Sequence, residues 1–462
     1  MNARTEHDSL GDVEVPVDAY WGAQTQRAIH NFPISGMKAH PALVRATALV
    51  KLASARANKA LGKLDGQLAD AIGQAAQEIV DGKLRDQFVV DVFQAGAGTS
   101  HNMNANEVIA NRANEILGGQ RGRYDPIHPN DHVNMSQSTN DTVPASIRVA
   151  ALSLAPELGA ALDELADALE GKGREFDGIL KSGRTHLQDA VPVRLGQEFA
   201  AYAWTVRRDA RRIDEAAAYL LEINLGGTAA GTGINTHPRY AETVARELAA
   251  VSGLDVRPAG NLFSVMQSMS DFAHVSSALR AAALDLIQIA NDLRLLSSGP
   301  RTGLGEIRLP ALQPGSSIMP GKVNPVIPEM TDMACFQVVG NDTTIALAVQ
   351  AGQLELNVMM PVIAHNLLQS MEILTNASRA LADKCVRGIT ADEERARWYF
   401  EASVGIATVL NPVIGYEAAA KVAQESARTG ETIVEVVRRQ GLLSDEELQR
   451  LFDPASLTEP RE

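Results

Sequence analysis

The stretch Phe272–Leu296, FAHVSSALRAAALDLIQIANDLRLL, decides the fold class. Phe272, Val275, Leu279, Ala282, Leu286, Ile289, Leu293 and Leu296 recur at steps of three and four, which keeps one apolar face along an α-helix. Roughly thirty residues pass here without Gly or Pro, and at about 1.5 Å per residue they make a rod about 45 Å long. Ile147, Ala151, Leu154, Leu158, Leu162, Leu165 and Leu169 repeat the pattern. Pro156 marks a place for a kink there, since proline removes a backbone donor. Similar runs span about 196–224, 326–350 and 355–386. Ala-rich helices of this length bury their faces against other long helices, so the chain reads as mainly α with a long central bundle. Such a bundle finishes burying its apolar surface by oligomerising.

Outward from the bundle the pattern changes. Pro and Gly cluster at 118–130, 225–237, 299–325 and 411–415. The part before about residue 139 is mixed, with shorter helices, and the pattern shortens again after Gly388. Ser444-Asp-Glu-Glu447 is a capping box that opens a last helix. Three domains are expected: 1–139, mixed and mainly helical; 140–393, the long-helix bundle; and 394–462, small and helical. A length of 462 residues agrees with several domains, and an aromatic content of 4% suits packed helices better than a β-sandwich.

Charge and cysteine usage exclude several classes. The net charge is −14 and no block is rich in Lys or Arg, so no nucleic-acid partner is expected. Cys335 and Cys385 lie in apolar helical surroundings outside any CxxC spacing. They read as buried inert thiols rather than a disulfide framework or a zinc site. The start, MNARTEHDSLGDVEV, lacks an apolar core, and no run of 18 uncharged apolar residues occurs. A cytoplasmic protein with no membrane partner is expected.

Four polar segments interrupt the helical pattern. Gly96–Asn104, GAGTSHNMN, places small donors at a helix start, where free N–H groups and the dipole suit an anion. An ordinary N-cap is the plain alternative. Asn130–Asp141, NDHVNMSQSTND, offers Ser138, Thr139 and Asn140 at one helix start, whereas capping needs only one of them. Gly183–Pro192, GRTHLQDAVP, carries His186 beside Thr185 and Gln188 without the HExxH spacing of a zinc site. Arg301–Ile307 leads to Gly315–Pro325, GSSIMPGKVNP, which suits a mobile lid better than a core. There Lys322 can neutralise a carboxylate and Asn324 can hydrogen-bond it; a surface Ω-loop is the alternative. The Gly-rich run Gly226–Gly233 lacks the Lys-Ser/Thr ending and the preceding strand of a phosphate loop, so phosphate binding is discounted.

At these segments the chain closely resembles the aspartase/fumarase superfamily, whose signature loop is GSSIMPGKVNP. The resemblance runs from Tyr20–Arg27, YWGAQTQR, to Gly415-Tyr-Glu417. It implies a three-domain, mainly α subunit and a homotetramer with a twenty-helix core, each active site combining three subunits. Asp86-Gln-Phe88, Gly96–Ser100, Ser138–Asn140, Asn324–Glu329 and Ala351–Leu354 resemble the aspartate ammonia-lyases. Trp21–Arg27, Gly226–Thr228 and Ile363–Asn366 resemble the class II fumarases. The first group lies in the site segments and carries more weight, so an ammonia-lyase acting on a small dicarboxylate is expected, with fumarate hydratase as the alternative. Two departures stand out: Met360, where ammonia-lyases usually have Glu and fumarases a basic residue, and Asn261–Phe272, which fits neither pattern.

The resemblance also assigns roles. Ser316 is the base; Lys322 holds the C1 carboxylate with Thr185 and Asn324; Asn140 and His186 face the departing amine; and Glu329 pairs with His186. Thr99, Ser138, Thr139 and the N–H groups of 315–317 meet the charge that develops on C4, and Ser100, Asn102 and Ser317 complete the substrate contacts. No metal and no organic cofactor is required.

Overall fold

The computed structural model describes residues 2–459. The apolar repeats form the helices their spacing predicts: Thr139–Glu175, Leu195–Ala217, Ser270–Leu296, Val326–Gln350 and Met360–Lys384. In Ser270–Leu296 the residues Phe272, Val275, Leu279, Ala282, Leu286 and Leu293 are all buried, as the three-four pattern requires. The Thr139–Glu175 helix continues through Pro144 and Pro156. By length and composition it could cross a membrane, yet 61% of its most apolar window is buried inside the chain, as in the core helix of a globular protein.

Two ends differ from the sequence expectation. The run expected over 196–224 leaves the α-helix at Ala217 and closes as a 3-10 turn, Ala218–Leu221, before Ile223 pairs with Pro258 in a short parallel ladder. The run expected over 355–386 begins only at Met360, because Gln353 and Leu356 pair across a tight turn. Here a backbone hydrogen-bond partner outcompetes helix propensity.

The chain divides into two compact units, each assembled from three stretches. The first comprises 1–160, 210–283 and 336–375. It opens with the antiparallel hairpin Ala3–Asp8/Gly11–Pro16 and the helices Pro41–Ala60, Gly66–Val80 and Thr99–Ile116. Leu52, Ile72, Ile79, Val108, Ile109 and Ile127 pack into one core between them. His40 and Asp65 cap two of these helices through Nδ1 and a carboxylate oxygen.

The second unit comprises 161–209, 284–335 and 376–462. It holds the hairpin Leu180–Thr185/Gln188–Arg194 and a cluster of short helices from Glu393 to Thr458 around Ile406, Leu410, Val422, Val436 and Leu448. Ser444 and Glu447 form the expected reciprocal capping box, and Thr432 and Glu435 form another. Cys335 and Cys385 are free and buried, and burial pushes both thiols up to about 12.

Candidate active site

In the first unit two helix starts meet over a buried polar network. The chain reaches Thr99 through Ala97 and Gly98, both with positive φ. A Cβ on Gly98 would stand 3.0 Å from Val143, so the close approach of the two starts requires glycine there. Thr99 is exposed, whereas Ser100 and Asn102 are buried. The facing helix is capped by Ser138, whose Oγ accepts the N–H of Asn140, while the carboxylate of Asp141 accepts the N–H of Ser138. Asn102 Nδ2 donates to Thr139 Oγ1 at 3.3 Å and to Asn134 Oδ1 at 3.1 Å, and Asn140 Nδ2 donates to the Ala229 carbonyl. At the second start Ser138 and Thr139 thus accept hydrogen bonds within the chain, and Asn140 donates one.

Beneath this pair lies Lys51, fully buried, with Nζ donating to Asn134 Oδ1 at 3.1 Å and Gln137 Oε1 at 2.9 Å. Burial pushes the ammonium down to about 7, against the pull of Asp141. Burial likewise pushes Asp141 up to about 6, opposed by the N–H groups of Ser138, Thr228 and Gly226 and by Lys51. His101, bonded to Thr47 Oγ1, is pushed down to about 4 by burial and then by Lys51. The Gly226–Gly233 run thus spends two N–H groups on a carboxylate of its own chain rather than on a phosphate.

The second unit carries the rest. Ser316 Oγ accepts the N–H of Ile318 at 3.2 Å and of Met319 at 2.9 Å. The loop closes on itself: Gly315 N donates to the Lys322 carbonyl, and Asn324 Nδ2 donates to the Gly315 carbonyl, both at 2.7 Å. A Cβ on Gly315 would meet Asn324 N and Lys322 O at 2.8 Å, which is why glycine precedes the serine. Ser317 and Lys322 are exposed, and Glu329 sits half-buried in the first turn of Val326–Gln350. Val323, Asn324 and Pro325 line an open cleft of about 470 Å³ with Ser297, Pro300, Gly305 and Arg308. Thr185 and His186 form the exposed tip of the second hairpin, where His186 and Leu187 have φ of 54° and 58°, the left-handed pair of a two-residue turn. No hydrogen bond among the described residues joins His186 to Glu329 or to the Ser316 loop.

Comparison with known proteins interprets this arrangement. Residues 11–340 match the family described as Lyase, and 406–459 match the Fumarase C C-terminus. The chain belongs to the aspartase/fumarase superfamily of lyases. It is 50% identical over 99% of its length to an aspartate ammonia-lyase of a Bacillus species, covering 98% of that relative. It is 51% identical over 98% of its length to a class II fumarate hydratase of Halobacterium salinarum, covering 97% of it. A crystal structure of fumarate lyase:delta crystallin from Brucella melitensis, bound to cobalt, superposes with a TM-score of 0.97 at 52% identity, covering 99% of this chain and 100% of that one. Schistosoma mansoni class II fumarase superposes at 0.95 with 36% identity and full coverage of both chains.

Several residues of these networks escaped the sequence reading. Lys51 looks like one polar position on an apolar helix, and its partners lie more than eighty residues away. Asp141 follows the Ser138–Asn140 word, and only its three backbone donors reveal its anchoring task. Arg184 and Glu306 stand inside quoted segments, but only the fold joins them, at 2.9 Å. Met360 is fully buried at the start of its helix.

Proposed function

We propose that this lyase is an aspartate ammonia-lyase, converting L-aspartate reversibly to fumarate and ammonia. The elimination chemistry rests on one observation: two backbone N–H groups are aimed at Ser316 Oγ. Donors of this kind favour an oxyanion over a neutral hydroxyl, which is what a serine needs to act as a base. The choice of amine over water rests on the site words Gly96–Ser100 and Ser138–Asn140 and on the run of aspartate ammonia-lyases among the relatives.

In this reading Ser316 takes the proton from C3 of aspartate. The electron pair moves onto the C4 carboxylate, giving an aci-carboxylate dianion. Thr99, Ser100, Ser138 and Thr139, with the N–H groups of Ser316 and Ser317, meet that charge, the Gly315 N–H being held by the Lys322 carbonyl; preorganised donors at a developing charge are usually the largest contribution to catalysis. The pair then returns to form the C2–C3 double bond as the C2–N bond breaks. The substrate ammonium already carries the departing proton, so the amine leaves as ammonia past Asn140 and His186, with Glu329 behind His186. Lys322, Asn324, Thr185, Ser317 and Asn102 hold the remaining carboxylate.

The same reading makes the active enzyme a homotetramer whose sites combine three subunits. Met333, Phe336 and Leu347 on the Val326–Gln350 helix are 64%, 58% and 63% exposed in one chain, an apolar stripe that suits burial against another copy. The exposure of His186 and Lys322 suits sites completed by other copies. Purified protein is expected to release fumarate and ammonia from L-aspartate in equal amounts, and Ser316→Ala to release both about 10²–10⁴ times more slowly. Release of both at near-normal rates by that variant would remove Ser316 from its role.

A further inference from the structure

The hairpin that carries His186 is irregular at one point. Lys181 and Arg184 are three residues apart, and in a regular strand they would face opposite sides. The ladder shifts between Ser182 and Arg184, where Ala190 and Val191 on the returning strand together oppose Gly183, a β-bulge. A Cβ on Gly183 would stand 2.6 Å from the Val191 carbonyl, so glycine is required opposite the bulge. At this irregular point both cations close on one carboxylate. Lys181 Nζ lies 3.0 Å from Glu306, and Arg184 grips it with two nitrogens at 2.9 and 3.1 Å. Glu306 is fully buried, and Lys181 also donates to both oxygens of Glu198 at 2.9 Å.

The carboxylate is itself held in place. Arg395 donates to the carbonyls of Leu304 and Gly303, and Tyr399 hydroxyl donates to Gly303 while its ring lies beneath the Arg184 guanidinium. Thr185 and His186 follow Arg184 directly, and Gly315 follows nine residues after Glu306. One buried carboxylate therefore ties the His186 tip to the stretch that leads into the serine loop.

We propose that Glu306 is a positioning residue: through Lys181 and Arg184 it fixes the bulged register of the hairpin, and so the place of Thr185 and His186. This rests on the reading that these two residues face substrate. A merely structural ion pair would also destabilise the chain when broken, so the test must separate the two roles. The full-length enzyme would be prepared as wild type, Glu306→Gln, Arg184→Lys, His186→Asn, and the pairs of each of the first two variants with His186→Asn. Ile72→Ala, in the core of the first unit, serves as a control for general destabilisation.

Glu306→Gln is expected to lower kcat about 30-fold with KM for aspartate within about 3-fold, the pattern of a misplaced catalytic group. Arg184→Lys keeps the charge but loses the two-pronged grip and should lose about 5-fold. In the His186→Asn background each should cost less than about 2-fold more, because both act through the same side chain. Amide exchange should rise at 183–191 and 315–325 in Glu306→Gln and stay unchanged at 432–451. Multiplicative losses, unchanged exchange in the hairpin, or an equal kcat loss in Ile72→Ala would each overturn the proposal. Wild-type inactivity on aspartate would instead strike the functional reading, and the exchange experiment would still decide the role of Glu306.

Discussion

Replacing Lys51 by Met tests the buried network under the two helix starts. The substitution keeps the length of the side chain and removes the ammonium. In the folded chain burial lowers Lys51 from 10.5 to about 7. Between those values the unfolded chain holds a proton that the folded chain does not. Stability therefore rises with pH across this window, by about 1.4 kcal/mol per unit, and the contribution disappears in the variant. The loss of a donor to Asn134 and Gln137 costs about 1–3 kcal/mol for each oxygen, but that cost does not vary with pH. The two groups that feel the Lys51 charge, Asp141 at about 6 and His101 at about 4, have lost their protons in the wild type below pH 8, outside this window. Urea titrations of wild type and Lys51→Met, at one protein concentration, are compared at pH 8 and 9.5. The wild type should gain about 2 kcal/mol on the variant between the two. Parallel pH dependence would show that Lys51 does not titrate in this window and that its burial is not the governing effect.

Other outcomes follow from the same geometry. Ser316→Ala should lower kcat by about 10²–10⁴ while leaving the assembled size unchanged in gel filtration. Lys322→Ala removes a charge-assisted contact and should raise KM for aspartate about 10–100-fold; an unchanged KM counts against the carboxylate clamp. Gly98→Ala places a Cβ 3.0 Å from Val143 at a φ of +85°. It should cost about 1–3 kcal/mol in urea titration, and wild-type stability would refute the need for glycine at that approach.

Much of this molecule was legible in its sequence, for a physical reason. The buried face of Ser270–Leu296 is set by side-chain period, which is local information. The reciprocal cap at Ser444 and Glu447 is likewise a four-residue matter. The polar segments were visible because their density exceeds what capping needs. What stayed hidden depends on distant partners. The helix expected over 355–386 starts late because Gln353 and Leu356 bridge first. The need for glycine at 183 exists only against the Val191 carbonyl in the bulge across the hairpin, and nothing near Lys51 announces that Asn134 and Gln137 will receive its ammonium. The surplus at Ser138–Asn140 also proved less free than its density implied, since Asn140 donates to the Ala229 carbonyl and the two hydroxyls accept hydrogen bonds within the chain.

The central claim, an ammonia-lyase built around Ser316, meets its sharpest test in a two-substrate comparison. The purified enzyme is incubated separately with L-aspartate and L-malate, and fumarate absorbance is followed with ammonia measured in parallel. The account predicts fumarate and ammonia in equal amounts from aspartate and no comparable turnover of malate. Fumarate from malate alone would contradict it and make the chain a hydratase.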